Sequence, residues 1–274
     1  MRGDTETGPA PTAPGTRLPR RFGLPGPIGT VVLVVLAGLF LHGVHQAEIT
    51  LERLLQAGPR LAGFWGSAFP PDFSAFVTFA PQMLETLQMA LIGTVLGLAV
   101  SLPAALLAAS NTTPHPAVAT TVRTIVTTLR AIPELVWALI FIVAVGLGPL
   151  AGILAIAADV VGFAGRFFAE RIEEVDRGPV ESLRSTGAGR LSVIACAILP
   201  PALPSFTGTS LYCYEKSVRS AVVLGLVGAG GIGVEFSTSM TMFRYDEALG
   251  ILLLILITLI VVERLSVALR RRVI

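Results

Sequence analysis

Charged residues are scarce in this sequence. They make up 14% of its 274 residues, whereas hydrophobic residues make up 53%, and the mean hydropathy is +0.76. A soluble domain usually contains about 25% charged residues, so a chain this apolar would expose too much apolar surface to water. Several uncharged stretches also reach the roughly 20 residues that a helix needs to cross a bilayer. The composition therefore excludes a soluble globular protein and indicates an integral membrane protein.

Residue types that carry chemistry are also rare. The three histidines, His42, His45 and His115, adjoin no acidic cluster, and Cys196 and Cys213 match no metal-ligand spacing. We therefore expect no metal site, no catalytic residue and no nucleic-acid partner. The phosphate-binding pattern G-x-x-x-x-G-K-[ST] is missing too, so we expect no cofactor in this chain and any ATP hydrolysis on a separate subunit. A repeated filter motif, which an ion channel would need, is also absent.

Apolar stretches of spanning length are abundant. Residues 1–27 are rich in Pro, Gly, Thr and Arg and are predicted to form a disordered tail. The run 28–45 could be a signal peptide, but we favour an uncleaved anchor because more spans follow and no clear cleavage site does. Residues 46–81 are predicted to be an external amphipathic segment. We predict an all-α protein with about six spans, at roughly 28–45, 85–109, 118–148 (with a break at Pro133), 150–169, 203–227 and 247–269.

Arginine placement predicts the orientation. Nineteen of the 20 basic residues are arginine. If both termini are cytoplasmic, fifteen arginines lie on that side of the membrane and three on the outer side. Because cytoplasmic loops carry the excess of basic residues, we predict that both ends face the cytoplasm.

One loop between spans is densely charged. The segment "RFFAERIEEVDRGPVESLRSTGAGR", residues 166–190, carries ten charges in 25 residues, which places it in water. We predict a short helix over 178–190, with Gly178 as N-cap and Pro179 in its first turn. Helical spacing would put four residues on one face: Val180, Leu183, Gly187 and Leu191. Such a helix either packs on its own bundle or docks on a partner, and the pattern alone leaves both open.

The same loop resembles a known motif. The string "ESLRSTGAGRLSVIACAILP" is similar to the "EAA" loop of binding-protein-dependent ABC importer permeases, with Glu181, Gly187 and Leu199-Pro200 in the matching positions. Ser182 and Leu183 replace the two alanines of the pattern, and Ala197 stands where isoleucine is usual. Four longer strings in matching order resemble the permease subunit of phosphonate importers: "LRAIPELVWALIFIVAVGLGPLAGILA", "GRFFAERIEEVDRGPVESLRSTGA", "LPPALPSF" and "VRSAVVLGLVGAGGIG" with "RYD".

This resemblance implies a function. It implies a type I ABC permease core over 82–269, in a bacterial cytoplasmic membrane, that passes a phosphonate, phosphite or hypophosphite. The 178–190 helix would couple to an ATPase through Glu181, Ser182, Leu183 and Gly187. The implied partners are two copies of an ATPase that holds ATP and Mg, a second permease copy or paralogue, an extracytoplasmic binding protein and membrane lipid. The alternatives are a permease for methionine or another small nutrient and, more remotely, a membrane assembly protein.

A glycine-rich stretch imitates a nucleotide site. Gly228, Gly230 and Gly233 form G-x-G-x-x-G, but the flanking spans leave no room for the βαβ unit that a dinucleotide site requires. With Gly231, these glycines predict a break in the helix, since each costs about 1 kcal/mol relative to Ala. The resemblance places this stretch near the substrate path. A flexible outer gate and a plain packing turn both fit the pattern.

Five charges fall within predicted spans: Glu134, Asp159, Glu215, Lys216 and Arg219. Because charges in a bilayer are costly, we expect them to face a protein interior or a water-filled path. Glu215 and Arg219 are four residues apart and can pair. We expect either structural ion pairs or a substrate path with one cation left over to attract an anion.

Overall fold

The chain is helical throughout its described part. The computed structural model describes residues 26–47 and 50–273, and it contains no strand in those ranges. The predicted tail lies almost wholly outside them. The helices, in chain order, are α1 (Pro27–Gln46), α2 (Leu51–Ala68), α3 (Ala75–Thr78), α4 (Ala80–Ala108), α5 (Pro116–Ala131), α6 (Glu134–Val145), α7 (Pro149–Glu173), α8 (Arg177–Ser185), α9 (Arg190–Val193), α10 (Leu199–Gly225), α11 (Ile232–Thr241) and α12 (Tyr245–Val273).

The described residues divide into two units, one up to Leu61 and one from Ala62 onward. In the first unit, α1 has no buried residue, and its valines and leucines are largely exposed. A 20-residue helix that is apolar on every side suits direct contact with lipid. The amphipathic α2 begins in this unit, and the external position predicted for 46–81 stays a prediction.

The core of the second unit is built on α4 and α7. Gly93 and Gly97 of α4 lie against Ile156 and Val160 of α7 so closely that a Cβ at Gly93 would stand 2.8 Å from the Cβ of Ile156. Small residues let membrane helices approach each other in this way. The hydroxyl of Ser101 bonds to the carbonyls of Gly97 and, at 3.4 Å, Val160, so no buried donor is left over there. These contacts fix α7, which carries the charged loop at its C-terminal end.

The predicted break at Pro133 is confirmed. Helices α5 and α6 meet there at an angle of 92°, because proline lacks an N–H and disfavours helical geometry in the residue before it. Five described helical segments are long and apolar enough to cross a membrane, or six if this bent pair counts as one span. The six predicted spans match these segments. The fifth begins earlier than expected, because α9 and one π-helical turn (Ile194–Ile198) continue into α10.

The connection between α2 and α4 is a polar turn around Asp72. The hydroxyl and then the backbone amide of Ser74 donate to its carboxylate, each at 2.8 Å, and they hold the pKa of Asp72 below its ordinary value. The amide of Asp72 in turn donates to the carbonyl of Asp246 at the start of α12. The turn thereby ties the beginning of the helical core to its last helix.

Candidate functional site

Helix α8 is short, charged and mostly exposed. It begins at Asp176, whose carboxylate accepts a hydrogen bond from the amide of Gly178 at 3.1 Å and so caps the helix. Val180 is buried and Leu183 is half-buried, and these two side chains attach the helix to the hydrophobic core. Glu181 and Ser182 lie on the opposite, exposed surface. Helix α8 therefore offers a polar surface to a partner while two side chains hold it in place.

The predicted bounds of this helix were wrong. It spans 177–185 rather than 178–190, and its cap is Asp176, not Gly178. Gly187 lies beyond its end with a φ of +84°, and the Gly187 amide donates to the carbonyl of Arg184 at 3.0 Å. Gly187 therefore terminates the helix, because glycine adopts this left-handed conformation without strain, and its role in coupling stays a prediction. Leu191, expected on the same face, is 82% exposed.

The ends of this loop are held by a polar cluster that the sequence analysis missed. We call it the clasp: Ser110, Thr112, Arg123, Glu173 and Arg190. The carboxylate of Glu173 accepts from the amide of Ser110 at 2.6 Å and pairs with the guanidinium of Arg123, and Arg190 donates to the carbonyl of Thr112. The clasp fastens the α4–α5 turn to the segments before and after α8. Its hydrogen-bonded partners lie up to 78 residues apart, and no local pattern signals the pairing.

A surface cavity opens beside the clasp. It has a volume of about 400 Å³ and is bordered by Asn111, Glu173, Arg177, Glu181 and Arg184, among others. The side-chain amide of Asn111 donates to the carbonyl of Ile172 at 2.7 Å, which sets the α4–α5 turn against the end of α7. Glu181 thus borders a polar recess formed by two separate segments, and a docking partner would meet both.

The five charges predicted to lie within spans are mostly paired. The ammonium of Lys216 on α10 lies 2.7 Å from Asp159 on α7. Glu215 pairs with Arg219 at 2.6 Å, as the spacing predicted, and a second arginine, Arg270 of α12, lies 3.8 Å from the same carboxylate. These contacts join three helices.

The prediction that one cation of this group is left unpaired was wrong. Counting Lys216 and Arg219 against Glu215 alone overlooked Asp159, which lies 57 residues from Lys216 in the sequence and neutralises it. The fifth charge, Glu134, accepts a hydrogen bond from the hydroxyl of Ser220 at 2.6 Å. The geometry therefore favours the structural interpretation of Asp159, Glu215, Lys216 and Arg219, because paired charges hold helices together without presenting an unmatched charge.

The glycine stretch forms a tight loop between α10 and α11. Gly228, Gly230 and Gly231 have φ of +91°, +91° and +73°, which glycine adopts without a steric penalty. Gly233 falls inside α11, where a Cβ would stand 2.1 Å from the carbonyl oxygen of Val222. The predicted break in the helix is confirmed.

Hydrogen bonds anchor this loop to the rest of the core. The amide of Gly148 donates to the carbonyl of Gly228 at 3.0 Å, and the amide of Ile232 donates to the hydroxyl of Thr86 at 2.8 Å. Gly230 packs directly on Pro149. These contacts are those of a packed turn, and the gate stays a prediction.

Comparisons with known proteins agree on one family. Residues 101–274 match the family described as binding-protein-dependent transport system inner membrane component. The chain is 40% identical over 246 residues to a phosphite transport system permease protein of Stutzerimonas stutzeri, covering 90% of this chain and 88% of the relative. It is 38% identical over 213 residues to a phosphate-import permease protein of Mycolicibacterium smegmatis, covering 77% of this chain but 40% of that longer relative.

A solved structure supports the fold independently. An inward-facing conformation of a methionine ABC transporter superimposes with a TM-score of 0.64 over 72% of this chain and 96% of that chain, at 22% identity. A likeness at this identity concerns the fold alone. It confirms the predicted all-α fold.

Proposed function

Because the chain belongs to the family of binding-protein-dependent transport system inner membrane components, we propose that it is the permease subunit of an ABC importer for a phosphorus oxyanion. The substrate class comprises phosphite, hypophosphite and phosphonates. The chain provides the passage through the membrane, and a separate ATPase provides the energy.

The observation that carries this proposal is the 40% identity to a phosphite permease over 90% of the chain. A match of that extent includes the spans, the charged loop and the glycine loop rather than a single motif. The methionine alternative has weaker support, since the superimposed methionine transporter is 22% identical and shares the fold only.

Helix α8 is the proposed contact with the ATPase. Its exposed residues Glu181 and Ser182 face away from the core, while Val180 and Leu183 attach it to that core. A short helix held between two long helices moves with them, so closure of two ATPase subunits on nucleotide can displace α7 and α10 through it. ATP and Mg belong to that partner.

Assembly and orientation complete the proposal. One chain has too few spans to enclose a passage, so two copies, or this chain and a paralogue, face each other across a two-fold axis. Each contacts one ATPase, and an extracytoplasmic binding protein delivers the substrate. Both termini and α8 face the cytoplasm, in agreement with the arginine distribution.

Uptake by cells that lack their own phosphite and methionine importers tests this function. The chain is expressed with its cognate ATPase and binding protein, or with either one omitted. We expect phosphite uptake only when all three are present, and no competition by methionine. If the cells took up methionine but no phosphorus oxyanion, the methionine alternative would be established. If they took up neither, the proposal would be overturned.

A further inference from the structure

One helix face in the core unit carries no large apolar side chain. In α5, the threonines 120, 124, 127 and 128 are all exposed, whereas Ala119 and Val126 on the opposite side are buried. At 100° per residue these threonines fall within one sector of the helix, so they form a continuous polar face. By contrast, the exposed residues of α4 and α12 include many leucines, valines and isoleucines.

Three of the four hydroxyls on this face are hydrogen-bonded within the helix. Those of Thr120, Thr124 and Thr128 each donate to the carbonyl four residues earlier, at 3.0, 2.9 and 2.9 Å. Because a hydroxyl can rotate, each can turn from this carbonyl to donate to a passing anion. Such groups make weak, replaceable contacts, which suit a passage that must not retain its substrate.

An unpaired cation borders the same face. Within residues 62–176, all of which the structure describes, Arg123, Arg166 and Arg171 form salt bridges with glutamates, and Arg130 forms neither a salt bridge nor a side-chain hydrogen bond. Arg130 is exposed and lies next to the break between α5 and α6. Arg130 on α5 is therefore free to meet an anion, whereas Lys216 on α10 is neutralised by Asp159.

Surface depressions follow this face. One of about 450 Å³ is bordered only by Thr120, Arg123, Thr124, Thr127 and Thr128, and a second of about 360 Å³ continues past Arg123 toward α7. A surface of hydroxyls and an unpaired guanidinium is unsuited to hydrocarbon, because a charged side chain at membrane depth needs water or a partner.

We propose that the polar face of α5, formed by Thr120, Thr124, Thr127 and Thr128 with Arg130 at its edge, lines the passage of the anionic substrate. The proposal rests on the proposed function and moves the substrate path from the paired charges of α7 and α10 to α5. Arg130 attracts the anion, and the threonines replace part of its hydration shell.

Thiol accessibility in the assembled complex tests this placement. In a background with Cys196→Ala and Cys213→Ala, Thr124→Cys is compared with Ile125→Cys, whose native residue is 53% exposed on the neighbouring side of α5. The probe is the anionic reagent 2-sulfonatoethyl methanethiosulfonate. Because it reacts with thiolates, which form in water, we expect labelling at Thr124→Cys about tenfold faster than at Ile125→Cys. Equal rates, or faster labelling at Ile125→Cys, would overturn the proposal, and so would protection of Thr124→Cys from every thiol reagent, since a protein contact would then cover it.

Substitutions that keep volume provide a second, independent measurement. Thr124→Val removes the hydroxyl and Thr124→Ser retains it, so phosphite uptake should fall in the first and persist in the second. Arg130→Gln should raise the half-saturating phosphite concentration about tenfold, as expected for the loss of one charge-assisted hydrogen bond. Arg272→Gln, at an exposed arginine in the last turn of α12, is the matched control and should leave it unchanged.

The two proposals fail differently. Wild-type complex that moves no phosphorus oxyanion would overturn the proposed function, whatever the labelling shows. Wild-type complex that moves phosphite while Arg130→Gln and Thr124→Val behave like wild type would overturn only the placement of the passage on α5.

Discussion

Two connections between helices are built in opposite ways. One is the α8 loop, residues 174–189 between α7 and α9, and the other is the glycine loop, residues 226–231 between α10 and α11. The glycine loop lies backbone to backbone against its neighbours: Gly230 packs on Pro149, and Gly233 on Gly225. The α8 loop is held at its ends by the clasp and leaves its middle exposed. One connection is fixed by close packing, whereas the other is fixed by polar contacts around a surface that a partner can reach. Glycine therefore has two distinct uses here: it allows close contact in one loop and ends a helix in the other.

Among substitutions in these two loops, the greatest loss of stability is expected at Gly233. Its substitution by alanine would place a Cβ 2.1 Å from the carbonyl oxygen of Val222, a backbone atom that cannot rotate away. We expect a destabilisation of about 3 kcal/mol, at the upper end of overpacking costs. Thermal unfolding of the purified protein in detergent measures it. Gly189→Ala is the matched control, because nothing lies within 4 Å of its added Cβ, and an equal loss in both variants would contradict the packing argument.

The second substitution is expected to abolish transport and to leave stability unchanged. Glu181→Lys reverses a charge on the exposed surface of α8, so we expect uptake to be lost while the protein remains folded and in the membrane. Membrane abundance and ATP-dependent uptake, measured on the same cells, separate the two. Glu174→Lys, a reversal at an exposed acid just outside α8, should retain most uptake. Normal uptake by Glu181→Lys would mean that α8 is not the coupling surface.

The smallest effect is expected at Gly187. An added Cβ would contact nothing within 4 Å, so only the positive φ of +84° opposes a side chain. Gly187→Ala should destabilise by about 1 kcal/mol, and Gly187→Asn by less, because asparagine tolerates this conformation better. Thermal unfolding of the purified protein in detergent measures both losses of stability. A large loss in both variants would contradict the open space found around Gly187.

Much of the fold could be predicted from local sequence. The break at Pro133, the spans and the exposed charged loop follow from proline geometry, apolar length and charge density, which are properties of neighbouring residues. The start of α8 could also have been predicted from the sequence, since aspartate is a better N-cap than glycine and Asp176 precedes Gly178.

The pairings could not be predicted in this way. Asp159 meets Lys216, and Glu173 meets Arg123, across gaps of 57 and 50 residues. Which charge finds which depends on how α7 packs against α5 and α10, and no periodicity in the sequence encodes that contact. The same limit hid Arg130, which stands out only once Arg123, Arg166 and Arg171 are seen to be paired with glutamates.

The pair of Lys216 with Asp159 has a consequence for the energised membrane. A potential of 100 mV acts on each elementary charge that crosses it with about 2.3 kcal/mol. Lys216 and Asp159 lie 2.7 Å apart on two packed helices, so they travel together and carry opposite signs through the same field. Their joint displacement transfers no gating charge. The pair therefore adds no voltage dependence of its own to a rearrangement of α7 and α10.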